Sequence, residues 1–112
     1  MESILTTIKK MLGIAEEHKD FDPDIIAHIN TEFMVLHQIG VGPSEVFKIE
    51  DDLALWTDFT EDIEQIEGVK QYIYIRVKAV FDPPTGAASD AHTRKSEELE
   101  WRLNFAAESE VL

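Results

Sequence analysis

The chain has no cysteine, no long hydrophobic run and few basic residues. Without cysteine there is no disulfide framework, no thiolate nucleophile and no thiolate metal site, so assembly must be noncovalent. No apolar run approaches the roughly 20 residues that cross a bilayer. The first ten residues place an acid before the apolar positions and lysines after them, the reverse of a secretory signal. We therefore expect the protein to stay in the cytoplasm of its producing cell.

Basic residues are scarce, because ten Lys and Arg stand against 23 Asp and Glu, for a net charge of −13. Nucleic-acid phosphates and anionic lipids are bound through Lys and Arg. This balance argues against DNA-sequence recognition and against membrane binding, and it favours protein partners.

The sequence does contain enough apolar material for one core. Its 112 residues are 44% hydrophobic and include two tryptophans, which indicates a folded acidic domain and not a disordered chain. The length suits one domain, residues 1–112, without a linker or internal repeat.

A short first helix is predicted near the start of the chain. Ile4, Ile8 and Met11 recur at helical spacing behind Ser3, a suitable N-cap. Gly13 should lie at its end.

A second helix is predicted from Asp22, which supplies a capping oxygen, and Pro23, which suits the first helical position. Gly40 followed by Pro43 should terminate it. Its apolar face consists of Ile25, Ile26, Ile29, Phe33, Leu36 and Ile39.

Residues 41–56 show no helical period, which predicts a long loop with at most a short strand or turn. A third helix is predicted from Thr60, bending or breaking at Gly68, because apolar residues recur at Ile63, Ile66, Ile73, Val77 and Val80. Residues 73–81 also alternate and are rich in β-branched side chains, so a strand remains open there.

Asp82, Pro83 and Pro84 must end that element, since two prolines remove two backbone donors. A last helix follows, with an ion pair expected between Glu98 and Arg102, and residues 106–112 are predicted to be a flexible tail. Its buried face is predicted to contain Ala91, Lys95, Leu99, Arg102 or Leu103, and Ala106. The expected fold class is all-α, a small bundle of about four helices with a long loop between the second and third.

No constellation of residues indicates catalysis or a cofactor. The Asp20 to Asp24 segment imitates a calcium loop, but its sixth position is Ile25 where glycine is required. His28 and Glu32 are interpreted as a surface pair one turn apart. We expect neither metal, nor cofactor, nor enzymatic activity.

The predicted third helix has two apolar stripes. One stripe, which is expected to face the core, contains Ile73, Val77 and Val80, and the second contains Tyr72, Ile75 and Ala79. A helix that is apolar nearly all round is either central in its fold or shared with a neighbour, and both alternatives stay open. The second stripe is the candidate subunit interface. Trp56 and Trp101 are expected to anchor the core or a loop.

Several segments, in their order, resemble the head-tail connector, or adaptor, proteins of tailed bacteriophages. The resemblance runs from about Ile4 to Asn104. The segments include Phe21-Asp22, Gly40-Val41-Gly42-Pro43, Phe81-Asp82-Pro83-Pro84 and Glu100-Trp101-Arg102-Leu103-Asn104.

This resemblance implies a helical virion assembly protein at the head-tail junction. Its subunits would form a ring, twelve-fold to match the portal protein, and offer the far side to a stopper or tail completion protein. DNA would pass through the channel without sequence-specific binding. The resemblance favours helix over strand in residues 73–81, and it brings no catalytic residue.

A second hypothesis comes from a different class, a small acidic helical regulator that inhibits a nucleic-acid-binding protein by presenting DNA-like charge. Such a protein should have a dense carboxylate face. In this chain ten basic residues are interspersed among the acids.

Overall fold

The computed structural model describes residues 2–111, and their side chains as far as Glu108. It contains five helices: α1 (Ile4–Met11), α2 (Asp22–Gln38), α3 (Trp56–Phe59), α4 (Ile63–Phe81) and α5 (Ala87–Val111). No β-strand occurs in this part of the chain. The all-α prediction is confirmed, with four longer helices and a long loop between the second and third of them. The short helix α3, at the end of that loop, was not predicted.

Helix α4 is the central element, because α1, α2 and α5 all pack against it. Ser3 caps α1 as predicted, its Oγ accepting the backbone N–H of Thr6 at 3.0 Å. The indole Nε1 of the buried Trp56 donates to Oγ1 of Thr7 at 3.0 Å. This bond fixes α1 to α3 and gives Trp56 the predicted role of core anchor.

A buried lysine holds the connector between α1 and α2. The Nζ atom of Lys9 donates to the carbonyl oxygens of Glu16 at 2.9 Å and His18 at 2.7 Å. It also pairs with Oδ1 of Asp22 at 2.9 Å. Two hydrogen bonds to carbonyls and the neighbouring Asp22 carboxylate together compensate the burial of the ammonium charge.

The start of α2 differs in one respect from the prediction. The position before the helix is Phe21, and no side chain caps the first turn. Asp22 does not act as the cap because its carboxylate pairs with Lys9. Pro23 does lie in the first turn.

Gly40 follows the end of α2 with φ of 84°, the left-handed conformation expected of a helix terminator. The N–H of Val41 then donates to the carbonyl of Leu36 at 2.9 Å. Pro43 lies in the loop just beyond. Gly42, with φ of 98°, is required by a close approach, since a Cβ there would lie 2.6 Å from the Phe59 ring.

Helix α4 is continuous through Gly68, so the strand alternative and the predicted break are both wrong. Asp62 caps it, with Oδ1 accepting the N–H of Gln65 at 3.2 Å. Gly68 instead lets α5 approach closely, because a Cβ there would lie 3.1 Å from Cδ2 of Leu103. The helix ends at Phe81, immediately before Asp82-Pro83-Pro84, as predicted.

The buried face of α5 agrees with the predicted one only in part. Leu103 is buried and Leu99 packs against the core, as predicted. Ser96 and Ala107 are also buried, whereas Ala91, Lys95, Arg102 and Ala106 are exposed. Apolar residues are few and weakly periodic in α5, so the sequence did not determine which side of the helix faces the core. The helix continues through Val111, Leu112 lies outside the described residues, and flexibility of residues 106–112 stays a prediction.

Candidate protein interaction site

The second apolar stripe of α4 is mostly covered within the subunit. Tyr72 is fully buried and Ile75 is 7% exposed, because α5 folds back along this side of α4. Of the two alternatives left open for this helix, the burial of Tyr72 and Ile75 supports a central place in the fold. Ala79 is exposed, and its place in a subunit interface stays a prediction. Val80, which was predicted to lie in the core, is 60% exposed at the end of the helix.

A chain of polar contacts crosses the bundle instead. The Nε atom of Arg76 donates to Oε1 of Glu32 on α2 at 3.1 Å. The Arg76 guanidinium lies 5.9 Å from the centroid of the Tyr72 ring. The Tyr72 hydroxyl donates to Oε2 of Glu100 on α5 at 3.1 Å. These contacts connect α2, α4 and α5 through groups that can carry charge.

The protonation states of Tyr72 and Arg76 follow from their surroundings. Burial, followed by the nearby carboxylates of Glu100 and Glu32, raises the pKa of Tyr72 above its ordinary value, although the Arg76 charge opposes the shift. For Arg76, burial lowers the pKa but the charge and hydrogen bond of Glu32 outweigh it, so the pKa is raised. Arg76 is thus a permanent cation and Tyr72 a neutral donor.

Sequence inspection missed Glu32 and Arg76 as partners. The expected pair of Glu32 with His28 is wrong, since Glu32 is 5% exposed and faces Arg76. The position of Glu32 in the sequence could have indicated its burial, because this charged residue directly precedes the core residue Phe33. Arg76 likewise lies directly between the buried residues Ile75 and Val77.

The most prominent exposed apolar feature lies on α5. Trp101 is 66% exposed, so its prediction as a core or loop anchor is wrong. Its ring stacks on that of Phe105, with centroids 5.4 Å apart and planes 15° from parallel. Exposed aromatic side chains of this size are enriched at protein interfaces. We call Trp101 and Phe105 the aromatic stripe.

Beside the aromatic stripe is a groove of about 280 Å³ between α5 and the end of α2. Ile39, Glu97, Glu100, Trp101 and Asn104 line it. The Nδ2 atom of Asn104 donates to the carbonyl of Ile39 at 2.7 Å, which satisfies a carbonyl at the end of α2 and fixes the groove wall. The stripe is therefore presented by a firmly attached helix.

The other side of α5 is shaped by Arg102. Its guanidinium pairs with Oε1 of Glu98 at 2.9 Å, as predicted. Together with Asp62, Gly68 and Leu103, Arg102 lines a second groove of about 420 Å³ between α4 and α5. Ile63, in the first turn of α4, is exposed.

No group of three or more histidine and carboxylate side chains in the described residues could hold a metal ion. None of the helices described is long and apolar enough to cross a membrane. The aromatic stripe is the candidate protein interaction site, because large exposed aromatic side chains are enriched at protein interfaces.

A comparison with protein families matches residues 4–110 to a family described as phage connector protein. The comparisons with curated proteins and with solved structures found no match. The family match includes all of α1, α2, α3 and α4 and almost all of α5. It agrees with the helical fold and with the resemblance noted in the sequence. The chain therefore belongs to the phage connector protein family.

Proposed function

We propose that this protein is a subunit of the ring that joins the portal protein of a tailed-phage head to a stopper or tail completion protein. The observation that carries the proposal is the family match over residues 4–110. A structural connector role in a phage particle follows from that membership. The ring, its twelve subunits, and its place at the head-tail junction after assembly in the host cytoplasm are the proposed part.

The surface of the subunit supports a role in assembly. The aromatic stripe places two large exposed rings side by side on a packed helix, and exposed apolar patches are typical of interaction sites. Exposed Ala79 and Val80 form a second, separate apolar site at the end of α4. Two dissimilar sites on one subunit suit heterologous contacts, which generate closed rings.

The net charge of −13 also suits a passage for DNA. Carboxylates that face a channel repel phosphates and leave DNA free to slide, whereas a basic lining would retain it. The protein would thus conduct DNA without reading its sequence.

Co-expression with the portal protein of the same genome tests the proposal. Size-exclusion chromatography with light scattering would give the mass of the complex. We expect a joint ring with near-equal numbers of the two subunits. A free monomer beside an unoccupied portal would contradict the proposal.

A further inference from the structure

The groove beside the aromatic stripe continues along α5. The groove of about 280 Å³ that contains Trp101 shares Ile39 and Asn104 with a neighbouring groove of about 300 Å³. The combined groove, which we call the α5 groove, runs along the helix from Glu97 to Glu108. At 1.5 Å per residue this distance is about 16 Å. A peptide of about six residues in extended conformation, at roughly 3.3 Å per step, spans the same distance.

The α5 groove is acidic. Glu97 and Glu100 line its first part and Glu108 lines its second. Among the described side chains, Glu97 and Glu108 form no ion pair. Glu100 accepts the neutral hydroxyl of Tyr72 at 3.1 Å. Arg94 precedes Glu97 by three residues, but the two make no ion pair. The groove therefore contains three carboxylates that no ion pair neutralises.

The groove is also held in place before any partner arrives. The hydrogen bond from Asn104 to the carbonyl of Ile39 fixes one wall at the end of α2. The bond from Tyr72 orients the Glu100 carboxylate. The exposed Trp101 ring is supported by stacking on its neighbour in the aromatic stripe. A preformed surface of this kind loses little conformational freedom on binding.

The combination of an aromatic face with carboxylates matches one kind of side chain. An arginine guanidinium stacks on an aromatic ring and also pairs with carboxylates. A purely apolar partner would remove water from Glu97 and Glu100 without replacing it, which costs free energy. DNA would place phosphates against the same carboxylates and be repelled. The α5 groove is therefore suited to a basic segment of a protein.

A second copy of this chain is a poor occupant because its own bases are engaged. All ten Lys and Arg lie in the part of the chain that the structure describes, and eight of them form ion pairs within the subunit. Arg76, whose charge also acts on Glu100, is paired with Glu32. Lys48 and Arg94 remain, and they lie in different parts of the fold. The chain thus offers no basic segment of its own.

We infer that the α5 groove binds a short basic segment of a different protein. An arginine of that segment stacks on Trp101 and pairs with Glu97 and Glu100, and a second base lies near Glu108. The inference adds a partner of stated chemistry to the proposed function. It depends on the groove alone and not on ring formation.

A short synthetic peptide tests the inference. Its first and last residues are arginine, four glycine and serine residues separate them, and both ends are blocked so that only the side chains carry charge. Binding to the whole chain is followed by NMR at about 0.15 M salt, where long-range attraction between exposed charges is screened. We expect shifts of the Trp101 indole N–H and of the amides of Glu97, Glu100 and Asn104. A peptide with citrulline in place of arginine, which has a similar shape but no charge, should not bind.

Variants separate this site from the general negative charge of the protein. Trp101→Leu removes the aromatic face, and Glu97→Gln with Glu100→Gln removes two charges. Each change should weaken binding of the arginine peptide by about threefold or more, measured from amide shifts. Glu45→Gln with Glu50→Gln is the matched control, because it changes the net charge equally at exposed loop positions. This control should bind the peptide as the wild type does.

The outcomes are distinct. Equal loss of affinity in the two double variants would overturn the inference, because the peptide would then respond only to overall charge. Absence of binding at millimolar peptide, or equal binding of the citrulline peptide, would overturn it as well. Glutamine at position 100 keeps an oxygen that accepts the Tyr72 hydroxyl, so this variant should fold. Failure to form a joint ring with the portal protein would contradict the proposed function instead and would leave peptide binding unchanged.

Discussion

Asn30 on α2 and Ile49 in the long loop bind each other twice. The Asn30 Nδ2 atom donates to the carbonyl of Ile49 at 2.9 Å, and its Oδ1 atom accepts the N–H of Ile49 at 2.8 Å. The asparagine amide therefore satisfies the backbone of Ile49 as a neighbouring strand would. This contact, together with the packing of Phe47 on Phe33 and Phe59, orders a loop that has no regular secondary structure.

Replacement of Asn30 by alanine should loosen this loop. The backbone groups of the buried Ile49 would lose both partners, at a cost of about 1–3 kcal/mol in the free energy of unfolding. Urea denaturation measures this change, and hydrogen exchange at the Ile49 amide should become faster. The exposed Thr31→Ala is the matched control, because Thr31 bonds only within its own helix. Equal exchange rates at Ile49 in both variants would contradict this role of Asn30.

Local signals explain which parts of the fold were predictable. Ser3, Gly40 and the Pro83-Pro84 pair mark helix ends through backbone chemistry that acts within a few residues. The apolar spacing in α2 is strong enough to identify a helix, whereas in α4 the spacing alone left a strand open over residues 73–81. These features can be recognised without knowing which helices pack against each other.

The interaction site was less predictable because it depends on contacts between distant residues. The spacing of Tyr72 allowed an interface position, but α5 covers this residue in the fold. Trp101 is a residue type that is usually buried, but its position on α5 places it at the surface. Arg76 and Glu32 are 44 positions apart, so no local spacing relates them. In α5 the polar residues predominate, and periodicity could not fix its buried face.

The raised pKa of Tyr72 predicts a loss of stability in alkaline solution. The buried hydroxyl keeps its proton in the folded state at pH values where the unfolded chain, with its ordinary pKa of 10.0, releases it. The unfolded state then binds fewer protons, so the free energy of unfolding falls as pH rises above 10. Below pH 10 the contribution of Tyr72 is fully present.

Tyr72→Phe should therefore be less sensitive to alkali than the wild type. At pH 7 it loses the hydrogen bond to Glu100, at a cost of about 0.5–1.5 kcal/mol. The difference between the two proteins should shrink as pH rises above 10, as measured by urea denaturation at each pH. Tyr74→Phe removes the hydroxyl of a half-buried tyrosine on the same helix and serves as control. A constant difference between Tyr72→Phe and wild type would refute the predicted linkage.

The close approach of Gly68 and Leu103 predicts a non-additive pair of substitutions. Alanine is favoured over glycine within a helix by about 1 kcal/mol. In the wild type Gly68→Ala should realise little of that gain, because the new Cβ would lie 3.1 Å from Leu103 Cδ2. Leu103→Ala alone should cost about 2–5 kcal/mol by leaving a cavity.

In the Leu103→Ala background, Gly68→Ala should stabilise the protein by most of that 1 kcal/mol, since the crowding side chain is gone. Thermal or urea denaturation of the four proteins completes the cycle. Strict additivity would mean that Leu103 moves aside freely, and that Gly68 is not required for the packing of α5.

Because Glu32 and Arg76 form an ion pair, we expect replacement of Arg76 alone to lower the free energy of unfolding more than replacement of both residues. Glu32 is 5% exposed, so Arg76→Met would leave a buried carboxylate without its cation, a change that costs about 3–5 kcal/mol when no water reaches the site. The Arg76 side chain is 42% exposed, which lets some solvent replace it and favours the lower end of that range. Glu32→Met leaves an arginine that can turn towards water and should cost less.

The double variant Glu32→Met with Arg76→Met should be more stable than Arg76→Met alone. It removes the unpaired charge and fills the same volume with apolar groups, which is often neutral or better for a buried pair. Urea denaturation of the four proteins gives the coupling free energy, expected at about 1–3 kcal/mol. A coupling near zero would mean that water already screens Glu32. The contacts among α2, α4 and α5 would then depend on packing, and Arg76 would serve chiefly to cover the Tyr72 ring.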